Sequence, residues 1–350
     1  MGLLSDDQQR VGSGRRAVIT GIAGQDGSFL AELLLGRGYE VHGVVRRASL
    51  RWVAGIEHLG ARAAASLAAV PLHVAPAGSQ AVQRVLEDVD PDEVYHLEPV
   101  SAGGGSSGSL DASDGGDGSG SDLWLDAIKA HRDRTGRDIR IVQAVSAAVY
   151  GSSPAPQSEE TPRRPATSRA RAEAAAHRRL VAARQRQGLH ASTAVLFDHE
   201  SERRERTAFS RSVTRGAARI RLGLQARLSL GGLDVKRDWG DARDHARAMW
   251  LMLQQDEPGD YVIATGLSRT ARGFVNQVFG RLGLDWRDHV EVEARPDRSS
   301  QVDERRGDPS RARRQLGWSA RVAFDVLVDR MVNYDIQTAR REKQVGRPPR

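Results

Sequence analysis

Short apolar segments alternate with longer, partly apolar ones along the first half of the chain. Each short segment has the length of a buried strand, and they lie at 17–21, 39–45, 71–74, 93–97 and 139–144. The intervening segments have helical periodicity, and they lie at 29–36, 80–89 and 123–131. Strands that alternate with helices predict an α/β protein with a doubly wound parallel sheet of the Rossmann type.

The second half of the chain is richer in helical patterns, at 167–187, 209–224 and 242–253. We expect the segment near 240–265 to return to the sheet, so that a smaller C-terminal lobe interleaves with the first domain. The predicted organisation has four parts: a disordered leader at 1–14, a Rossmann domain at 15–190, the smaller lobe at 191–335 and a basic tail at 336–350.

A run of glycine, serine and aspartate interrupts the predicted Rossmann domain at 101–122. Each glycine in a helix interior costs about 1 kcal/mol relative to alanine, so a stable helix is not expected there. The composition instead predicts a flexible segment within the domain.

The clearest chemical motif follows the first predicted strand, with the sequence Thr20-Gly-Ile-Ala-Gly-Gln-Asp-Gly27. Glycines at this spacing permit a tight turn, let the backbone approach a pyrophosphate, and open a helix whose N-terminus attracts the anion. Two arginines end the second strand and suit the 2′-phosphate of NADP better than the free hydroxyl of NAD. A turn that keeps its shape without a ligand is the alternative. The predicted cofactor-binding residues are Gly21, Gly24, Gln25, Asp26, Gly27, Arg46 and Arg47.

The glycine spacing is that of short-chain dehydrogenases/reductases, and longer stretches resemble one extended branch, the GDP-mannose 4,6-dehydratases. The most specific are Ile19-Thr-Gly-Ile-Ala-Gly-Gln-Asp-Gly, Leu196-Phe-Asp-His-Glu-Ser and Leu230-Gly-Gly-Leu-Asp-Val-Lys-Arg-Asp-Trp-Gly. The resemblance covers residues 15–335 and implies an NADP-dependent lyase that converts GDP-mannose to GDP-4-dehydro-6-deoxy-mannose. It also implies that a Tyr helped by a Lys removes the 4-hydroxyl proton and that a Glu removes the C5 proton.

The implied catalytic positions carry different residues in this chain. Ser146 keeps a hydroxyl where the family has a catalytic threonine, but Ala148 replaces the Glu, Arg169 replaces the Tyr and Glu173 replaces the Lys. A guanidinium does not release its proton in proteins, so Arg169 cannot be the base. None of the five tyrosines is followed by a lysine four residues later. We therefore expect a catalytically defective homologue, a pseudoenzyme.

The resemblance implies a better preserved nucleotide-sugar site, in which arginines bind the diphosphate because the guanidinium fork reaches two oxygens. The predicted residues are Asp198, His199, Glu200, Arg203, Arg211, Arg237 and Arg298. Surface ion pairs of these arginines with Glu202, Asp241 or Asp244 are the alternative. On the cofactor side, Glu98 falls where the family has a small residue, and its charge would repel a pyrophosphate.

Composition restricts the remaining classes of function. The net charge is +7, but arginine supplies nearly all of the 52 basic residues and alternates with acids and alanines, so a nucleic-acid partner is not expected. No apolar run reaches 18 residues, so no membrane span is expected. The histidines lack metal-ligand spacing, so no metal site is expected. The absence of cysteine suits a cytoplasmic protein.

Two further alternatives concern activity and partners. The chain is either an active dehydratase with a relocated base, or a non-catalytic scaffold or regulator that joins an active paralogue in a hetero-oligomer. The family's dimer contact includes a helix that coincides with the 101–122 segment. The resemblance therefore leaves a family-type dimer in doubt.

Overall fold

The computed structural model describes residues 14–45, 68, 70–74, 79–98, 120–293 and 304–345, with the backbone alone at 120 and 121. Several predicted features lie outside these residues: the leader at 1–13, Arg46, Arg47, Arg298 and the 101–119 part of the glycine-rich segment.

Fourteen strands are present in the described part of the chain. They are β1 (Arg16–Thr20), β2 (Glu40–Val45), β3 (Leu72–Val74), β4 (Glu93–His96), β5 (Arg140–Ser146), β6 (Ala191–Leu196), β7 (His199–Glu200), β8 (Leu228–Gly231), β9 (Lys236–Asp238), β10 (Gly240–Asp241), β11 (Asp260–Ile263), β12 (Ser268–Thr270), β13 (Val290–Glu293) and β14 (Glu304–Arg305).

The same residues form nine α-helices and two short 3₁₀ helices, at Ala147–Tyr150 and Trp286–Asp288. The α-helices are α1 (Gln25–Leu35), α2 (Ser79–Val89), α3 (Gly120–Thr135), α4 (Ser168–Gln187), α5 (Phe209–Arg221), α6 (Ala242–Leu253), α7 (Ala271–Arg281), α8 (Ser310–Leu316) and α9 (Phe324–Val345).

Seven strands form one sheet in the order β3-β2-β1-β4-β5-β6-β11, and every neighbouring pair is parallel. The prediction of a doubly wound, parallel α/β sheet is therefore confirmed. All residues of β4 and β6 are buried, as expected for central strands that are covered on both faces.

Helices cover both faces of the sheet. On one face, Leu30 of α1 and Met249 of α6 pack with Trp318 in a buried cluster. On the other face, Leu86 of α2 and Ile128 of α3 belong to a second buried cluster. These are the apolar positions of the amphipathic patterns, and their burial is the main force that holds the helices to the sheet.

The C-terminal half contributes both a separate core and a strand of the main sheet. Trp239, Phe274 and Phe324 pack together in the lobe formed by α5, α7 and α9. Strand β11 pairs with β6 at the edge of the main sheet. Helix α9 continues to Val345, so the segment from 336 to 345 is helical, whereas the sequence predicts a tail from 336. No described helix combines the length and apolar character needed to cross a membrane.

Candidate functional site

The strand order reverses between β1 and β4. In open α/β sheets, ligands bind outside the carboxyl ends of the strands at such a reversal. Because the strands are parallel, the loops after β1, β4, β5 and β6 all begin at this edge. This edge is therefore the candidate site.

The glycine-rich turn connects β1 to α1. Gly21 has a φ of +68°, in the left-handed region that glycine adopts readily, and its carbonyl oxygen accepts a 2.9 Å hydrogen bond from the N–H of Gly24. A Cβ atom on Gly27 would lie 2.4 Å from that carbonyl oxygen, so only glycine allows α1 to pack this close. Gly24 is exposed at the helix N-terminus. The turn therefore fits a pyrophosphate, which the positive end of the helix dipole attracts.

Gln25 connects this turn to the segment after β6. The Gln25 side-chain N–H donates to the backbone carbonyl oxygen of His199 at 3.1 Å. The Ser201 hydroxyl donates to the side-chain oxygen of Gln25, Oε1, at 2.6 Å. Gln25 is buried. Its side chain therefore joins the predicted cofactor turn to the predicted sugar-binding segment instead of facing a ligand.

Asp26 and His199 form an ion pair between the same two segments. The His199 ring donates to Asp26 Oδ1 through Nε2 at 2.8 Å and to the Phe197 carbonyl oxygen through Nδ1 at 2.7 Å. Burial lowers the pKa of His199, but the charge and hydrogen bond of Asp26 outweigh it and raise the pKa overall. Burial raises the pKa of Asp26, but His199 outweighs it and lowers that pKa to about 2. Each partner therefore favours the charged form of the other.

A second histidine, His245 of α6, stacks on His199 with ring centroids 4.3 Å apart and an interplanar angle of 17°. Burial and the charge of His199 lower the pKa of His245 to about 3. The two stacked imidazoles therefore have pKa values shifted in opposite directions. Sequence reasoning missed His245, because the histidine pattern has no spacing that connects it to His199.

The implied catalytic positions lie at the end of β5 and the start of α4. The Ser146 N–H donates to Glu173 Oε2 at 3.0 Å, and the Arg169 Nε donates to Glu173 Oε1 at 3.0 Å. The Ser146 hydroxyl oxygen accepts from the Ala148 N–H at 3.1 Å. The side chain of Glu173 is 4% exposed, whereas that of Arg169 is 63% exposed. A buried carboxylate held by two donors thus occupies the position of the implied lysine.

Tyr39, Tyr95 and Tyr150 do not take the place of the missing phenol. Tyr150 follows β5 but donates its hydroxyl to the Ser158 carbonyl oxygen at 2.8 Å, and burial raises its pKa. Tyr39 and Tyr95 donate to Glu93 at the amino end of β4, the opposite edge of the sheet. A phenol with a raised pKa is a poor base at neutral pH.

Other ionisable side chains near α4 have partners away from Ser146. The Glu159 carboxylate accepts from the Val262 N–H at 2.8 Å, in strand β11. His177 lies 2.8 Å from Asp260, the first residue of that strand. Among the hydrogen bonds of the described residues, Glu173 is bonded to Ser146, whereas Glu159 and His177 are bonded elsewhere.

Two of the predicted diphosphate-binding arginines are buried in ion pairs within the protein. Arg203 donates to Glu32 at 2.7 Å and lies over the Phe29 ring at 3.9 Å. Arg211 donates to Asp335 at 2.8 Å, and both side chains are at most 4% exposed. These contacts favour a structural role for both arginines. The alternative named surface ion pairs with Glu202, Asp241 or Asp244, whereas these two arginines pair with Glu32 and Asp335.

The remaining described residues of the predicted sugar site lie near one another. Arg237 Nε is 3.6 Å from Asp198 Oδ2, whose side chain is 37% exposed. Glu200 is buried, where it accepts a hydrogen bond from the Ser210 hydroxyl, and burial raises its pKa. Asp198 is therefore the more exposed member of its pair with Arg237.

Glu98 follows β4 beside the glycine-rich turn. Its Cγ atom lies 3.5 Å from where a Cβ on Gly21 would stand. A carboxylate here opposes an anionic ligand electrostatically, although the turn fits one sterically.

The strand order of the main sheet and the glycine-rich turn after β1 together identify the chain as a Rossmann-type protein of the short-chain dehydrogenase/reductase class. Residues 18–331 match the family model for GDP-mannose 4,6 dehydratase. The chain is 41% identical over 342 residues to GDP-mannose 4,6 dehydratase 1 of Arabidopsis thaliana, covering 97% of this chain and 95% of that protein. It is 43% identical over 329 residues to GDP-mannose 4,6 dehydratase 2 of the same plant, covering 93% and 88%.

This chain therefore belongs to the GDP-mannose 4,6-dehydratase family, as the sequence resemblance indicated. A solved structure with the same fold is the dTDP-glucose 4,6-dehydratase of Bacillus anthracis in complex with NAD. The two share a TM-score of 0.74 at 16% identity, over 93% of this chain and 98% of that one.

Proposed function

We propose that this protein is a catalytically defective member of its family, which binds NADP and a GDP-sugar such as GDP-mannose without converting the sugar. The observation that carries the proposal is the contact between Glu173, Arg169 and Ser146. In this arrangement the implied lysine position holds a buried carboxylate, and the implied tyrosine position holds a guanidinium.

The chemistry requires a base that takes the proton of the sugar 4-hydroxyl while a bound NADP⁺ accepts the hydride from C4. Arg169 keeps its proton, so it is no base. Glu173 is buried and its two oxygens already accept hydrogen bonds, so a sugar hydroxyl has no access to it. Ala148 has no ionisable group for the C5 proton. General acid–base groups contribute roughly 10²–10⁴-fold each, so losing two of them removes most of the rate.

Binding is supported by the parts of the site that keep their form. The turn from Gly21 to Gly27 fits a pyrophosphate. In the sequence, Arg46 and Arg47, which lie outside the described residues, suit the 2′-phosphate of NADP. Asp198 and Arg237 lie together where the family's sugar-binding motifs fall. Glu98 opposes the cofactor's charge, so we propose binding that is weaker than an unopposed turn would give.

Activity is tested with purified protein, NADP⁺ and GDP-mannose. We expect the unmodified protein to form no GDP-4-dehydro-6-deoxy-mannose above a no-protein control. The variant A148E/R169Y/E173K restores the implied acid–base groups, and we expect it to form the product at a rate at least about 100-fold above the detection limit. The single change Ala130→Ser, at an exposed position of α3, is the matched control. Circular dichroism checks that each variant folds.

Binding is tested in the same preparations by thermal shift with NADP⁺, NAD⁺, GDP and GDP-mannose. A ligand at 100 times its Kd stabilises the folded state by about 2.7 kcal/mol. No shift from any ligand would refute the binding half and favour a scaffolding role. If the unmodified protein converts GDP-mannose and the variant E173Q does not, the protein is an active dehydratase with a relocated base. That result would refute the proposal that it is catalytically defective.

A further inference from the structure

Helix α4 carries a second candidate site, in the turns beyond Glu173. A cavity of about 450 Å³ opens there, within the size range of roughly 300–1,000 Å³ that is typical of small-molecule sites. Its floor is apolar and its rim is basic. The residues that define it are Arg163, His177, Arg178, Val181, Ala182 and Arg186.

The spacing of the helical residues explains how the cavity forms. Positions 178, 181, 182 and 185 lie on one face of α4, because residues three and four apart are neighbours on a helix surface. Arg163 reaches this face from the segment before the helix. Val181 is eight residues beyond Glu173, which is about 12 Å along the helix axis at 1.5 Å per residue. The cavity is therefore separate from the candidate site at the end of β5.

A buried histidine lines the cavity. His177 is 5% exposed, and its Nε2 lies 2.8 Å from Asp260 Oδ2. Its other ring nitrogen, Nδ1, is buried and has no hydrogen-bond partner among the described residues. His177 therefore belongs to the wall of the cavity, where its contact with Asp260 fixes the ring.

The arginines supply positive charge that the surrounding protein does not neutralise. Arg163 places one guanidinium nitrogen 3.0 Å from His177 Nε2, while its Nε is buried without a partner among the described residues. Arg178 and Arg186 are exposed, and within the described ranges neither forms an ion pair. The nearby carboxylate of Asp260 is occupied by His177 and Arg184. The rim therefore offers several N–H donors to an anion.

We propose that this cavity binds a small organic molecule through a phosphate or carboxylate group. The oxyanion is held between the guanidinium groups of Arg163, Arg178 and Arg186. Charge-assisted bonds from guanidinium groups are among the strongest that proteins make to such anions. The apolar part of the ligand lies on Val181 and Ala182. The site is independent of the proposed function, because none of its residues belongs to the turn or to the Ser146 region.

A single thiol at the rim tests the proposal, because the chain contains no cysteine. In the variant Q185C, we expect sodium pyrophosphate to slow reaction of the thiol with a disulfide reagent in a saturable manner. At ten times its Kd, the ligand should reduce the rate about elevenfold by mass action. Sodium chloride at the same ionic strength should not do so. The exposed thiol of A130C, on α3, should be unaffected by pyrophosphate.

Charge reversal then assigns the effect to the rim. We expect protection of the Q185C thiol to disappear in the added background R178E/R186E and to persist in R171E/R221E, which reverses two exposed arginines outside the cavity. A parallel series with citrate tells whether phosphate or carboxylate is preferred. Protection that is absent for both anions overturns the proposal. The proposal is also overturned if the anions protect the A130C thiol as much as the Q185C thiol. The same holds if protection of the Q185C thiol persists in folded protein that carries R178E/R186E.

Discussion

Asp26 and His199 owe their charges to each other. The carboxylate and the imidazole lie 2.8 Å apart, and their pKa values move in opposite directions from the ordinary ones. Each charged form is favoured because its partner is charged, which outweighs the cost of burial. The pair joins the first turn of α1 to the segment after β6, so its ionisation bears on the geometry of the candidate site.

The pair makes stability depend on pH in a direction that the pKa shifts fix. Asp26 has a lowered pKa, so its contribution is present above about pH 4 and is lost as the pH falls toward about 2. His199 has a raised pKa, so its contribution is complete below its unfolded value of about 6.5 and is lost as the pH rises through the folded value. We expect D26N to cost about 2 kcal/mol between pH 5 and 6, and less at either extreme.

Urea unfolding at a series of pH values measures this difference. The control is D126N, which removes an exposed carboxylate from α3 and should leave the profile of the parent protein unchanged. A D26N deficit that is constant from pH 3 to pH 9 would show that the pair is not the source of the dependence.

The glycine-rich turn and α1 act as one element, because their backbones touch. The Gly21 carbonyl oxygen and the Ile22 Cα would lie 2.4 Å and 2.6 Å from a Cβ on Gly27. These are backbone atoms of a constrained turn, so they cannot move aside cheaply. Although Gly27 is helical, its replacement by alanine forces the turn away from the helix.

Two glycine-to-alanine changes separate helix propensity from this contact. We expect G27A to destabilise the protein by roughly 1–3 kcal/mol, the usual cost of overpacking. In α7, Gly280 is exposed and a Cβ there would meet nothing within 4 Å. G280A should therefore stabilise by up to about 1 kcal/mol, the propensity difference in a helix interior. Thermal or urea unfolding measures both, and G27A at least as stable as the parent would contradict the close contact.

At the scale of elements, sequence patterns predict most of the fold because the strands are apolar runs and the helices are periodic. The predicted helix at 242–253 has the bounds of α6, and β2 differs from its prediction by one residue. The pairing of charges was not predictable in this way. Asp26 and His199 are 173 positions apart. Spacing along the chain carries no information on which acid meets which arginine, as Arg203 and Glu32 illustrate.

Nor could spacing reveal that Glu173 turns toward the backbone of Ser146. The sequence shows only that a glutamate stands where the resemblance implies a lysine. The structure adds that the carboxylate is buried and accepts two hydrogen bonds, which makes it part of the scaffold at the end of β5.

At the scale of the whole molecule, the C-terminal lobe is held together by a buried polar contact as well as by its apolar core. Arg211 of α5 donates to Asp335 of α9 at 2.8 Å, and the Thr214 hydroxyl donates to the other oxygen of Asp335 at 2.6 Å. Burial raises the pKa of Asp335, and Arg211 opposes that rise. Removing one partner of such a pair leaves an uncompensated buried charge, which costs more than the pair contributes.

We therefore expect R211M to lower the free energy of unfolding by roughly 3–5 kcal/mol. The double variant R211M/D335N should recover most of that loss, because a neutral amide can still accept from Thr214 and no unpaired charge remains. R221M, at an exposed position near the end of α5, is the control and should change stability by less than about 0.5 kcal/mol. Urea unfolding of all three variants gives the comparison. If Arg211 instead served a diphosphate ligand, R211M would weaken GDP binding and leave the unfolding of the ligand-free protein unchanged.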